Sequence, residues 1–432
     1  MSKEARTGRR ALRVAGVLTG TAVMVALAGC AASGNDGDAD SGGDVTIEFA
    51  QWWEPELPDG ALRGLIDKFE DENPGIKVEL LSGPYASTKE QLFAGAAAGT
   101  MSDVVGLDGA WVNDFSKQGA IADLTALMSE QGYDDSELAS QIQVDGKTRM
   151  IPVVNFVYPM YTNDALLSDA GVSAPPSNRT EFAEAADKIT ALGNGVYGTA
   201  LPLSMETPSG IQNQIMSWVW ASGGSMLADG KPDLTNDDVR GAIEYIDDLY
   251  QAGAVSPGAF TMKEQDMVEE FTNGRVGMMI DSLAHVNQIR EANPDLKFSI
   301  SALPAEDGYT GERGIPYASW GIGISDTTEH KAEAWKLVEF LMSESANSEL
   351  SSIAKAFPGN TKSVPDFVGD DELFGKAFEI YQAGYPANEF TGLPVAEELM
   401  RQFDEQLQRM LSGDISVDEM LTNAQESWSQ EF

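Results

Sequence analysis

The residues able to hold or act on another molecule in this sequence are mainly aromatic rings and carboxylates. Two histidines, His285 and His330, and a single cysteine, Cys30, are too few for most metal sites and for nucleophile–histidine dyads. Gly223-Gly224 is too short to be a phosphate-cradling loop. The 68 acidic residues leave a hydrolytic carboxylate pair open, since the separation that matters is set by the fold. Six tryptophans stand where an external face is conceivable: Trp52, Trp53, Trp111, Trp218, Trp220 and Trp320, with Tyr85 and Tyr158 beside them in the count. Trp335 shares a helical pattern with Val338 and Phe340, and Trp428 lies near the chain end, so both read as packing residues. A flat ring covers the C–H face of a cyclic polyol, while carboxylates and amides take its hydroxyls in pairs. Rings and acids together therefore suit a sugar. Adjacent residues of an extended chain face opposite ways, so one of Trp52 and Trp53 packs while the other faces outward. Trp218 and Trp220 pose the same choice.

These residues must be positioned by regular elements, and the hydrophobic pattern supplies them. Val45, Ile47 and Phe49 alternate with polar residues as a strand. Leu62, Leu65, Ile66 and Phe69 recur at helical spacing until Asn73-Pro74-Gly75 stops them. A second strand follows at Ile76, Val78 and Leu80, a small-residue helix at 92–97, and a third strand at Val104-Val105. This βαβαβ order predicts a parallel sheet covered by helices, with ligands outside the carboxyl ends of its strands. Trp52-Trp53, Tyr85 and Asp108 to Trp111 all fall just after strands. Further helices are expected from Asn178, with Glu181 completing a capping box, over 239–250 and 332–342, and from Leu399 onward.

The N-terminus speaks to location. Lys3, Arg6, Arg9, Arg10 and Arg13 precede an uncharged apolar run over 14–28, which Leu27-Ala28-Gly29-Cys30 closes. That is a secretory signal, shorter than the ~20 residues of a membrane-spanning helix. With one cysteine, no intrachain disulfide forms. Leu-Ala-Gly-Cys resembles the bacterial lipobox, whose cysteine is diacylated, so residues 1–29 are expected to be a lipoprotein signal and Cys30 the membrane anchor. Residues 30–43, rich in Gly, Ser, Ala, Asn and Asp, read as a flexible tether. Losing the signal moves the net charge from −40 to about −44. Such a charge excludes nucleic acid and disfavours phosphorylated ligands, while a neutral ligand is unaffected.

Ordered motifs then point to a family. Phe69-Glu70-Asp71-Glu72-Asn73-Pro74-Gly75-Ile76-Lys77-Val78, Ala98-Gly99-Thr100 with Asp103-Val104-Val105, Gly119-Ala120-Ile121-Ala122-Asp123-Leu124, Ile151-Pro152 leading to Tyr161-Thr162-Asn163, Phe271-Thr272-Asn273-Gly274-Arg275-Val276-Gly277-Met278 and Val417-Asp418-Glu419-Met420-Leu421 occur in register. Together they resemble the family-1 extracellular solute-binding proteins, the group containing the maltose-binding protein. Arg179 departs from the pattern, standing where that family usually has Trp.

The resemblance implies an α/β fold of two lobes, the type II periplasmic-binding-protein fold, with an interlobe ligand cleft and a hinge crossed three times. Matching motifs place lobe one at 44–154 plus 320–378 and lobe two at 155–319 plus 379–432, with crossings near 155–156, 317–320 and 378–379. The implied function is capture of a sugar, expected to be an oligosaccharide, for the membrane subunits of an ABC importer. The expected protein is a monomer without cofactor, metal or catalytic residue, outside the cell. A lipid-anchored glycosidase and a binding protein for another solute are the alternatives. By the family's contact segments, Trp53, Tyr85, Asp108 and Trp111 are expected at the ligand from lobe one. Tyr158, Asn213, Trp218, Asp281, Ser282 and Trp320 complete the expected set, with His285 a weaker candidate.

Overall fold

The computed structural model describes residues 45–432. Cys30, the signal and the tether lie outside the described residues. No described helix is long and apolar enough to cross a membrane.

Alternation in the first strand works as its sequence requires. In Val45–Gln51, Ile47 and Phe49 are buried and Thr46 and Glu48 exposed. The strand pairs in parallel with Ile76–Ser82, from Val45 opposite Ile76 to Gln51 opposite Ser82, and on its other side with Val104–Leu107. Between the first two strands, helix Ala61–Glu72 buries Leu62, Leu65, Ile66 and Phe69, the four residues its spacing marks. Helix Tyr85–Ala98 ends at Gly99, whose φ of 68° is left-handed and costs glycine nothing.

Two long strands complete this sheet. Lys147–Val157 and Gly314–Ile324 run antiparallel to each other, and the second also pairs with Val104–Leu107. Around the sheet, one core gathers buried residues from 47–154 and 320–356. A second sheet, ordered Phe298–Ser301, Met160–Asn163, Val276–Ile280, Tyr197–Thr199, lies beyond the ends of the long strands. Its buried residues fall into two further clusters, one of which includes Trp218, Trp220 and Trp428. The architecture is the two-lobe α/β fold that the element order and motifs predict.

The third crossing is expected near 378–379. Helix Glu372–Ala383 runs unbroken through 378–379. Its Phe374, Ala377 and Phe378 join Tyr161, Phe271 and Phe298 in one cluster. The apolar face of this helix also meets Phe357, which pairs with the first sheet, at 5.2 Å from Phe378, and the chain turns only after it, at Tyr385–Ala387, which pairs in parallel with Gly314, Ile315 and Pro316.

The helix opened by Asn178 shows local chemistry overriding a motif. Asn178 caps it by accepting from the Glu181 N–H at 2.9 Å, while the Glu181 carboxylate accepts from the Ser177 N–H at 2.8 Å and also from the backbone of Asn178. Arg179 is buried. Its guanidinium donates to the Trp218 carbonyl at 2.7 Å and to Glu306 at 2.8 Å, and lies over the Tyr245 ring.

Candidate functional site

A cavity of about 340 Å³ lies between the two sheets, at the carboxyl end of Val104–Leu107. Tyr85, Asp108, Tyr158, Asn213 and Glu264 are among its lining residues. Its position outside strand ends is the one open α/β sheets favour for ligands.

The wall from the first sheet is aromatic. Asp108 follows the strand, and its Oδ1 accepts from the Ala110 N–H at 2.8 Å, capping the short turn Gly109–Trp111. Its Oδ2 accepts from the Tyr85 hydroxyl at 3.2 Å. The capping and ligand-facing readings of Asp108 are thus compatible, one oxygen for each. Tyr85 is 37 % exposed and opens its helix at the rim. Behind it lie Trp111, with ring centroids 4.9 Å apart, and Trp52, 5.3 Å from each of the other two. Trp111 is almost fully buried and backs the tyrosine. Loss of solvent at Asp108 pushes its carboxyl above the ordinary range, against the Ala110 and Tyr85 hydrogen bonds.

The opposite wall is polar. Tyr158 follows strand Lys147–Val157 and is buried with its hydroxyl among Asn213 and Ser282. Asn213 sits in a π-helical stretch, Ile211–Met216, and donates from Nδ2 to Glu264 at 2.5 Å. Such widened turns alter which side chains project together and often occur at functional sites. Glu264 opens helix Glu264–Thr272, and burial raises its pKa against the Asn213 hydrogen bond. Asp281, after strand Val276–Ile280, is fully buried and accepts from His285 Nδ1 at 2.9 Å. Burial disfavours a charged His285, but the bond to Asp281 and the charges of Asp281 and Glu264 outweigh it and hold the imidazole above its usual pKa. Ser282 contributes its carbonyl to the Tyr161 hydroxyl at 2.8 Å.

One end of the cavity is closed by the chain from Asn388 to Met400. Gly392 donates to the Gly109 carbonyl at 3.0 Å, and Asn113 donates to the Gly392 carbonyl at 2.9 Å. A Cβ at Gly109 would stand 2.5 Å from a Thr391 side-chain carbon, so this close approach requires glycine. Lys89 adds an ion pair with Glu397 at 2.8 Å while lying over the Trp111 ring.

Three expected rings are elsewhere. Trp53 is completely buried, stacked on Trp320 at 5.6 Å and 8°, with Phe49 edge-on at 5.2 Å. The chain bends after Gln51, so Trp53 drops into the core of the first sheet and Trp52, its neighbour, turns to Tyr85 and Trp111. Trp320 is held in that same core, also against Phe156. Trp218 packs on Phe182 and Tyr245, 5.0 Å from each. Glu264, Glu206, Glu397 and Asn388 line the cavity without any signal that marked them in the sequence. Glu264 in particular looks there like any acid in a first helical turn.

Two lobes with a cavity between them define a ligand-capturing protein, and the comparisons agree. The profile of the bacterial extracellular solute-binding proteins matches residues 54–348, and the chain belongs to that family. Its members bind solutes and are not catalysts. A putative binding protein of Brucella abortus is 30% identical over 297 residues, 68% of this chain and 71% of that protein. The galactooligosaccharide-binding protein of Bacillus subtilis is 22% identical over 94% of each chain. The crystal structure of the cyclic α-maltosyl-1,6-maltose binding protein from Arthrobacter globiformis superposes with a TM-score of 0.75. At 18% identity it covers 90% of this chain and 99% of that one.

Proposed function

We propose that the protein captures a sugar, an oligosaccharide, in this cavity and delivers it to an ABC importer. The observation that carries the reading is the facing of an exposed ring, Tyr85, by the polar group of Tyr158, Asn213 and Glu264 across one cavity. Rings meet the C–H faces of a sugar, and Asp108, Asn213 and Glu264 take its hydroxyls. The names of the Bacillus and Arthrobacter relatives point the same way. The contacts of residues 388–397 with Gly109, Asn113 and Lys89 would be made and broken as the lobes close and open. A sugar touching both walls then shifts the population toward the closed form, which the importer's membrane subunits recognise. Diacylated Cys30 and the tether hold a monomer at the outer face of the membrane.

A thermal-shift screen against mono- and oligosaccharides tests this. A ligand at a hundred times its Kd adds about 2.7 kcal/mol of stability. Stabilisation by at least one saccharide that is reduced in Tyr85→Ala is expected; silence across the whole screen would remove sugar as the ligand.

A further inference from the structure

Behind the polar wall stands a histidine that does not line the cavity. His285 opens helix His285–Ala292, and its Nδ1 donates to Asp281, 3.0 Å from Oδ1 and 2.9 Å from Oδ2. The Asp281 carboxylate is shut off from solvent, whereas the imidazole is 25 % exposed and can exchange its proton with water. Asp281 is tied to the wall through its neighbours. Gln214 of the π-helical stretch donates to the Ile280 carbonyl at 2.6 Å. The residue before it, Asn213, donates to Glu264 at 2.5 Å and accepts from Gln212 at 3.0 Å. Tyr158 lies among these groups, with its hydroxyl beside Asn213 and Ser282.

Two desolvated carboxylates, Asp281 and Glu264, thus feel each other's charge, and the positive charge of His285 acts on both. Like charges in a dry site disfavour one another, and a nearby imidazolium offsets that. The other groups facing this cluster do not titrate near neutral pH. Burial pushes the Tyr158 and Tyr161 hydroxyls well above the ordinary phenol range. Arg290, on the same helix as His285, stays paired with Asp371 at 2.5 Å.

A neutral imidazole still donates from Nδ1, so raising the pH removes the charge and leaves the hydrogen bond. Closing the cleft over a ligand expels water and strengthens every charge interaction in the wall. With His285 neutral, the two carboxylates are desolvated without its charge, and closure costs more.

Resting on the sugar reading above, we infer that His285 is a positioning residue of this site. Its imidazolium holds Asp281 and Glu264 together behind Tyr158 and Asn213, and sugar affinity falls as that charge is lost at rising pH. The sign follows from the pairing with Asp281: the closed wall favours the protonated form, so binding is tightest below the imidazole's pKa and weakens above it.

The test is calorimetric titration of the full chain in detergent at about pH 6 and about pH 9, with both histidines followed by NMR. The probes are a panel of glucosyl, galactosyl and mannosyl mono- to trisaccharides. A member that binds is expected to do so about 5- to 10-fold more weakly at the higher pH. It should also raise the His285 pKa by about 0.7 to 1 unit, which is the same free energy read from the other side. His285→Asn, whose amide can replace the Nδ1 donor without the charge, is expected to lose the pH dependence and bind throughout as the parent does at high pH. The two readouts on the parent chain stand even if that variant does not fold. Asp404→Asn, which removes a carboxyl with a pKa of about 7, is expected to leave the pH dependence in place. Equal affinity at both pH values, or an imidazole pKa that does not rise with sugar, would overturn the positioning role and leave the sugar reading standing. Binding of no member of the panel would overturn both.

Discussion

Trp52 and Trp53 are neighbours in the chain and meet edge-to-face at 6.5 Å within one core, yet each leads to a different set of rings. Trp53, with Phe49 and Trp320, makes a ring cluster inside the first sheet's core. Trp52, with Tyr85 and Trp111, makes a second cluster that ends at the cavity. Both contain two tryptophans in contact at 5–6 Å, with a third ring that is Phe49 in one and Tyr85 in the other. They differ in whether one member reaches solvent: Tyr85 is 37 % exposed, while nothing in the Trp53 cluster is more than 5 % exposed. An aromatic cluster thus becomes a binding surface through one ring at its margin, and the rings behind serve to fix that one.

The sharpest way to break this comparison is to truncate one ring in each cluster. Trp53→Ala is expected to cost about 3–5 kcal/mol of folding stability, read by urea denaturation, with any loss of ligand affinity following from unfolding. A stability change below about 1 kcal/mol would mean that Trp53 is not a core residue.

Asp404 probes stability away from both clusters. It is fully buried on helix Ala396–Leu411, and desolvation raises its pKa to about 7 against the hydrogen bond from Gln408. An acid whose folded pKa lies above its unfolded value binds more protons in the folded state, so its contribution is present below about pH 4 and is lost as pH rises toward 7. Asp404→Asn is expected to raise stability at pH 8 by about 2 kcal/mol and to flatten the pH dependence between 5 and 8. An equal change at pH 4 and pH 8 would show that ionisation of Asp404 is not involved.

Tyr85→Ala should do the opposite of Trp53→Ala. A fall of about 5- to 10-fold in sugar affinity is expected by titration, with stability within about 1 kcal/mol of the parent. Trp111→Ala falls between the two, losing both stability and affinity, because that ring is buried yet supports Tyr85 directly. Intact affinity in Trp111→Ala would separate the rear of the cluster from the site. The smallest effect is expected from Tyr85→Phe, which keeps the ring and removes only the hydroxyl on Asp108, at about 1 kcal/mol or less in binding.

The polar wall was partly legible in the sequence. Tyr158, Asn213, Asp281 and Ser282 are four of the residues that the family's contact segments single out, and they lie in one network with His285. Only Tyr158 and Asn213 line the cavity; Asp281 and Ser282 stand behind them. Glu264 could not be found this way. Its partner, Asn213, is 51 positions away, and a π-helical turn brings the two together.

Local physics and ordered motifs settled the elements, the two-lobe class, the family and the raw materials of the site, because hydrophobic period, caps and turn residues act over a few neighbours. Strand ends and helix Ala61–Glu72 follow directly from such patterns. Which ring is a platform and which is core was decided only in three dimensions. Trp53, Trp218 and Trp320 are buried because the backbone bends after Gln51 and because distant helices cover them. The same holds for charge. Composition counts carboxylates, but the difference between Glu397, in an ion pair with Lys89, and Glu264, hydrogen-bonded to the neutral amide of Asn213, is a matter of ångströms between segments far apart in the chain.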